Sequence, residues 1–185
     1  MGLDSVELVM EWEDFFHLKI SDLEASKMRT IADAVNYIST HVKYVDRGIS
    51  IKEEVLKDIT TLFSQFNLPI GSTDLVFKVL TVDEEQLWKE ISQTAPYDLP
   101  LPFSTNTLGK WYDKLFPSKV NLNELTTDRY VDLICAVNYL KLIKQDVQNQ
   151  YEVMIAVMGM TIEKIGVSPF EVFWTSSFTN DLGID

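Results

Sequence analysis

Apolar side chains recur at helical spacing near the beginning of the chain. From Leu3 to Phe16 they form one stripe, and acidic side chains fill the positions between them. Ser21 and Asp22 can cap a short turn, and Thr30 can cap a further helix that carries an apolar stripe of its own. The first 42 residues therefore predict a helix, a short helix and a third helix.

The same periodicity returns at intervals through the rest of the chain. A stretch with three prolines, Ala95 to Phe103, predicts a loop. Helices are predicted around it at Ile51 to Phe66, Asp83 to Ile91, Leu108 to Leu115, Asp128 to Ile143 and Tyr151 to Ile165. Because no segment shows convincing strand alternation, the pattern predicts an all-α fold.

Composition and charge narrow the classes of function. The formal charge of −12 argues against nucleic-acid binding, because phosphate backbones are bound through Lys and Arg. No run of apolar residues is long enough for a membrane span, and the chain starts without the features of a secretory signal, so we expect a cytoplasmic protein without membrane contact. The single cysteine, Cys135, lies in an apolar run and is interpreted as a buried hydrophobic residue.

The beginning of the chain resembles the acyl carrier protein family. The stretch Val6-Glu7-Leu8-Val9-Met10 is similar to the core of that family's second helix. The similarity continues without a gap over residues 3–42, to the family's short third helix and its fourth, through Glu13, Phe16, Ile20, Asp22, Ala25, Lys27, Thr30-Ile31, Ala34 and Tyr37-Ile38. The first helix of such a bundle has no counterpart before these residues.

The missing helix resembles the other end of the chain. Residues 151–185 are similar to the family's first helix and the loop after it, at Ile162-Glu163-Lys164-Ile165-Gly166-Val167, Val172, Ser177-Phe178 and Asp181-Leu182-Gly183-Ile184-Asp185. In that family Asp-Leu-Gly-x-Asp runs directly into the modified serine and the second helix. The resemblance therefore implies a circularly permuted carrier-like helical bundle.

The permutation implies two domains. Residues 1–45 and 146–185 would form the carrier-like bundle, and residues 46–145 an inserted helical domain that joins the old ends. Both segments of the carrier-like bundle have an excess of acidic residues, which favours their grouping: residues 1–45 have eight acidic and four basic side chains, and residues 146–185 have six acidic and one basic. The inserted domain is either unrelated or a degenerate second copy, since Ala136-Val137-Asn138-Tyr139-Leu140 echoes Ala34-Val35-Asn36-Tyr37-Ile38. The terminal helix closes the bundle within a monomer, or between two chains as a swapped dimer.

Carrier proteins of this family hold 4'-phosphopantetheine on a serine at the start of the second helix. In the ungapped register this position falls on Gly2, which has no hydroxyl group, and Ser5 falls on a second hydroxyl position. One hypothesis is a carrier-like protein without a prosthetic arm and without a cofactor. The alternative is a phosphopantetheine-bearing carrier that is loaded on Ser5, whose Asp4-Ser5-Val6 context is similar to the attachment motif.

The first helix carries acidic side chains at Glu7, Glu11, Glu13 and Asp14, which we call the acidic face. In the family such a face docks onto basic surfaces of enzymes in fatty-acid or polyketide metabolism, and the resemblance implies the same partners here. The other interpretation is a solvated surface with no partner.

Other candidate sites have weak support in the sequence. No nucleophile triad, phosphate loop or metal-binding cysteine spacing is present, so we expect no enzymatic activity. His17 and His41 lack acidic or cysteine residues at ligand spacing, so no metal site is expected. Trp88, Trp111 and Tyr112 are expected in a core more than in a groove, and a carboxylate beside Trp88, Asp83 or Glu84, would be the first place to search for a hidden catalytic pocket.

Overall fold

Helices make up the regular structure of the described chain. The computed structural model describes residues 3–103, 121–144 and 146–184. In chain order its α-helices are α1 (Leu3–Phe16), α2 (Asp22–Ala25), α3 (Ile31–His41), α4 (Ile51–Gln65), α5 (Val76–Val79), α6 (Glu85–Thr94), α7 (Thr127–Val137), α8 (Tyr139–Leu142) and α9 (Gln150–Ile165). These ranges contain no β-strand, which confirms the predicted all-α fold, and none of their helices is long and apolar enough to cross a membrane.

Local hydrogen bonds explain where the principal helices begin. Thr30 and Asp33 form a capping box at the start of α3, in which each side chain accepts a hydrogen bond from the other residue's backbone N–H. Ser50 caps α4, and Asn149 caps α9. At the other end of α9, Gly166 takes a left-handed φ of 69°, a conformation that glycine adopts without steric cost.

The chain divides into two compact units. Unit 1 comprises Met1–Ile49 and Ala136–Asp185, and unit 2 comprises Ser50–Cys135. The units divide at 49/50 and at 135/136, whereas the sequence predicts boundaries at 45/46 and 145/146. The second division falls inside α7.

In unit 1 the helix near the end of the chain packs against the helices at its beginning. Helix α9 contacts both α1 and α3 of the same chain. Leu8 and Trp12 of α1 are buried, as is the apolar side of α3. In and just after α9, Val153, Val157, Met158 and Ile162 are buried, whereas Ile165 and Val167 are half-buried.

The single helix predicted from Asp128 to Ile143 is wrong, because the structure interrupts it. Asn138 has φ −112° and ψ 16°, so α7 ends before it and α8 starts after it. Asparagine is unfavourable inside a helix because its side chain can form hydrogen bonds with nearby backbone groups in non-helical conformations. The interruption places Tyr139 against Gly159 of α9, where a Cβ atom would lie 2.3 Å from the tyrosine ring.

A short backbone bridge in unit 1 ties the loop after α9 to the start of α3. Thr30 and Ser177 form an isolated antiparallel bridge. Three hydrogen bonds hold it: Ile31 N to Ser176 O at 3.1 Å, Ala32 N to Trp174 O at 2.9 Å, and Phe178 N to Arg29 O at 3.0 Å.

Unit 2 contains the same bridge in the same register. Leu75 and Thr126 pair in antiparallel fashion immediately before α7. The bonds are Thr127 N to Asp74 O at 2.8 Å, Asp128 N to Ser72 O at 2.9 Å, and Val76 N to Leu125 O at 3.0 Å. Donors and acceptors follow the spacing found in unit 1, and α3 and α7 each have 11 residues. This common local architecture is what a degenerate second copy would produce.

Candidate functional site

Ser5 lies in the first turn of α1, and its side chain is half-buried. It is therefore part of the helix and does not lie in the loop before it. Gly2, which takes the family position of the modified serine, and Asp185 lie outside the described residues. The structure therefore describes Ser5 but not Gly2, the alternative attachment position.

Ser5 lines a cavity beside the start of α1, which we call the α1 cavity. Its volume is about 390 Å³. The walls come from α1, from α2 and the turn after it, and from the loop before the end of the chain. The main apolar lining residues are Leu8, Trp12, Met28, Phe178 and Ile184, and the polar ones include Ser5, Arg29 and Asn180.

The loop wall of the α1 cavity is held in shape by its own hydrogen bonds. The carboxylate of Asp181 accepts a hydrogen bond from Ser177 N at 2.8 Å, and Ile184 N donates to Phe178 O at 2.8 Å. Gly183 takes φ 71° in the turn between these partners. The Asp-Leu-Gly segment singled out in the sequence therefore closes a turn that positions Phe178 and Ile184 at the cavity.

Trp12 is the most deeply buried large side chain of the α1 cavity. It is 2% exposed, and its ring lies 5.6 Å from that of Phe178, centroid to centroid. Its indole Nε1 has no hydrogen-bond partner among the described residues. The sequence places Trp12 in the apolar stripe of α1. It cannot reveal that the indole N–H has no partner among the described residues, because pairing depends on tertiary neighbours.

Two members of the acidic face are paired within unit 1. Lys164, near the end of α9, forms an ion pair with Glu7, and its Nζ lies 3.6 Å from a carboxylate oxygen of Glu11. The hydrogen bond to Glu7 raises the pKa of Lys164. The side chains of Glu7 and Glu11 remain 43% and 44% exposed, so each can still be reached from solvent.

The other two members of the acidic face, Glu13 and Asp14, lie in different surroundings. Glu13 accepts a hydrogen bond from the backbone N–H of Ile20 at 2.7 Å, and this bond lowers its pKa. Its side chain is only 15% exposed, so Glu13 mainly closes the loop after α1.

Asp14 is exposed, and it continues a row at four-residue spacing with Val6 and Met10, which are 41% and 55% exposed. We call Val6, Met10 and Asp14 the exposed stripe.

The two histidines, distant in sequence, line one polar cavity of unit 1. Its volume is about 290 Å³, and Lys43 and Asp146 also line it. The ring of His41 stacks on Tyr37 with centroids 4.1 Å apart. Among the described residues no group of three or more potential ligands could hold a metal ion.

The candidates in unit 2 belong to its core or its surface. Trp88 is fully buried among the rings of Phe63, Phe77 and Tyr130, and its Nε1 donates to Thr81 O at 3.0 Å. Asp83 and Glu84 are exposed, and Glu84 accepts hydrogen bonds from the backbone and hydroxyl of Thr81. Trp111 and Tyr112, together with the predicted helix Leu108 to Leu115, lie outside the described residues.

Comparison with known proteins adds no family to these observations. No protein-family model matches the sequence, and no solved structure matches the fold. Any function must therefore be inferred from the residues themselves.

Proposed function

We propose that unit 1 is an acyl-carrier-like docking module that binds basic surfaces of acyl-processing enzymes and carries no prosthetic arm of its own. The observation that carries the proposal is the solvent side of α1, where exposed apolar residues alternate with carboxylates. Val6 and Met10 are exposed, and Glu7, Glu11 and Asp14 surround them at helical spacing. An apolar strip flanked by acids fits a partner with an apolar contact ringed by Lys or Arg.

The ion pair with Lys164 sets the strength of this surface. Lys164 neutralises part of the charge on Glu7 and Glu11, so a basic partner must compete with it for these carboxylates. Exposed ion pairs contribute about 0.2–1 kcal/mol, which a partner with several basic residues can replace. Docking is therefore expected to be weak, salt-sensitive and reversible.

The placement of Ser5 supports a module without an arm. A phosphopantetheinyl transferase must bring the hydroxyl group into its own active site, whereas Ser5 is half-buried and lines the α1 cavity. The alternative, loading on Ser5, is favoured by the position of this residue in the first turn of α1 and by its Asp4-Ser5-Val6 context.

Intact-mass measurement separates the two. The full chain is incubated with coenzyme A and a broad-specificity phosphopantetheinyl transferase, beside an authentic carrier protein as positive control. We expect an unchanged mass. A gain equal to one phosphopantetheine that disappears in Ser5→Ala would establish the alternative and show that the protein carries an arm.

Charge reversal tests the docking surface itself. Binding to a purified acyl-transferring enzyme of fatty-acid or polyketide type is measured by surface plasmon resonance for wild type and for Asp14→Lys, which leaves the Lys164 pair intact. We expect weaker binding for Asp14→Lys and for Met10→Ser, and stronger binding for Lys164→Gln, which releases two carboxylates.

A matched reversal on unit 2, Glu90→Lys, controls for net charge, because Glu90 is an exposed residue of α6. Equal losses for Asp14→Lys and Glu90→Lys would mean that total charge, and not this surface, determines binding. Binding that ignored both salt and Asp14→Lys would refute docking through α1, since exposed charges are screened within about 8 Å at physiological ionic strength.

A further inference from the structure

The chain of unit 1 is interrupted by the whole of unit 2. Unit 1 consists of Met1–Ile49 and Ala136–Asp185, and unit 2 is the continuous segment Ser50–Cys135 between them. Helix α9 of the second half packs on α1 and α3 of the first half. A folded unit 1 therefore holds together the two ends of the segment that forms unit 2.

Two residue pairs, Val45 with Val147 and Arg47 with Glu152, also join the halves of unit 1, and we call them the neck. The backbone N–H of Val45 donates to the carbonyl oxygen of Val147 at 3.0 Å. Arg47 Nη2 donates to the Glu152 carboxylate at 2.5 Å, and its Nη1 donates to the carbonyl oxygen of Asp146 at 2.7 Å. The neck thus ties the chain just before unit 2 to the chain that follows it.

The burial of Glu152 is particular to the neck. Glu152 of α9 and Glu53 of α4 both occupy the third position of their helices, where the backbone N–H donates to the N-cap side chain. Glu53 is exposed, whereas the side chain of Glu152 is 0% exposed and its Oε1 has no hydrogen-bond partner among the described residues. A buried ion pair is weak evidence for stability, and its best-attested use is to specify which segments meet. The neck therefore specifies where the halves of unit 1 join.

A contact between distant residues restricts the unfolded chain that lies between them. Val45 and Val147 enclose about 100 residues, and closing a flexible loop of that length costs a factor on the order of 1,000 in population, from the (3/2) ln n relation. Disulfide bonds stabilise proteins through this restriction, although engineered ones often deliver less than the relation predicts. While unit 1 is folded, unit 2 must therefore unfold inside a closed loop.

We infer that folded unit 1 is a non-covalent staple on unit 2, so that each unit is more stable while the other is folded. Coupling free energies are reciprocal, so unfolding of unit 2 weakens unit 1 by the same factor. A ligand or a substitution that stabilises unit 1 then also protects unit 2 from unfolding. The staple requires neither a docking partner nor a modified Ser5, so it stands independently of the proposed function.

Hydrogen exchange of the full chain, measured by mass spectrometry, tests the staple through the α4 amides of unit 2. Ile38→Asp places a carboxylate at a fully buried position of α3 and should remove the protection of the α9 amides in unit 1. We expect the α4 amides to exchange at least about tenfold faster in this variant, because unit 2 then unfolds in an open chain. Thr40→Asp is the matched control, since Thr40 is an exposed residue of the same helix, and it should change neither unit.

A covalent cross-link separates loop closure from the other effects of unfolding unit 1. Val45→Cys and Val147→Cys are joined by a disulfide in the Ile38→Asp background, and Cys135 does not compete because it is fully buried. With the cross-link, the α4 amides should regain their protection while the α9 amides stay unprotected. Reduction of the disulfide should return the α4 amides to fast exchange.

Trp88→Ala tests the reciprocal effect, since Trp88 is fully buried in unit 2. When this variant has lost the protection of the α4 amides, the α9 amides should exchange at least about tenfold faster than in wild type, because the coupling acts equally in both directions. This measurement decides the question if unit 1 stays folded in Ile38→Asp.

Three results would overturn the inference: α4 amides that exchange at the wild-type rate when unit 1 is unfolded, α4 amides that stay unprotected after the cross-link has formed, or α9 amides that ignore the unfolding of unit 2. Wild-type protection of α9 that is lost on dilution would overturn it as well, because unit 1 would then close between two chains. Loss of docking in the surface variants would leave these results unchanged, so the two proposals fail separately.

Discussion

Gly159 in α9 lies where no side chain fits. A Cβ atom there would be 2.3 Å from Cδ1 of Tyr139 and 2.4 Å from the carbonyl oxygen of Ala136. Non-bonded carbon atoms normally approach no closer than about 3.5 Å. We therefore predict that Gly159→Ala destabilises unit 1, although alanine is the better helix former.

The magnitude follows from two opposing effects. Extra atoms in a packed core cost about 1–3 kcal/mol, and replacing glycine by alanine in a helix gains about 1 kcal/mol. The cost belongs in the upper part of its range, because the Ala136 carbonyl is backbone and cannot rotate away. Tyr139 is 5% exposed and its ring contacts that of Phe15 at 5.5 Å, so it has little room to move. The net loss should be about 2 kcal/mol.

Urea unfolding monitored through hydrogen exchange of the α9 amides measures this loss of stability for unit 1 specifically. The matched control is the same substitution in a Tyr139→Ala background. Without the ring, Gly159→Ala should cost less, and the remainder reports the contact with the Ala136 carbonyl. A Gly159→Ala variant as stable as wild type, or more stable, would refute the close-packing argument.

Three further predictions concern named contacts of unit 1. The Ile20 N–H holds the pKa of Glu13 below its usual value, so the ionised carboxylate stabilises the fold at neutral pH; Glu13→Gln should lower the urea midpoint at about pH 7, and this loss should shrink as the pH falls below about 4.3, the usual value for Glu. Arg47 pairs at 2.5 Å with the fully buried Glu152, so Arg47→Met should cost about 3–5 kcal/mol in chemical denaturation, and adding Glu152→Met should recover part of it. Thr30→Val removes one half of the α3 capping box and should lower stability by about 1 kcal/mol, with early loss of amide protection in the first turn of α3.

Local sequence signals specified most of the helices. The predicted bounds of α1 match those observed, and Thr30 caps α3 as expected, because caps and apolar spacing act over a few neighbouring residues. Helix α5 was not predicted, because a single turn is too short to produce an apolar period. The expectation that Trp88 belongs to a core also agrees with its burial.

The candidate site depended on contacts between distant parts of the chain. The sequence indicated that α1 has an acidic side, but Lys164 pairs with Glu7 across 157 positions, and no local pattern reveals such a partner. The α1 cavity likewise combines walls from α1 and α2 with the loop that carries Phe178, which is bridged to Thr30 through Ser177. Sequence alone determined which segments are helical and which side of each helix is apolar, since both follow from residues three or four positions apart. Tertiary structure decided which charges are paired and that the Trp12 indole N–H has no hydrogen-bond partner among the described residues, since both depend on segments that meet only after folding.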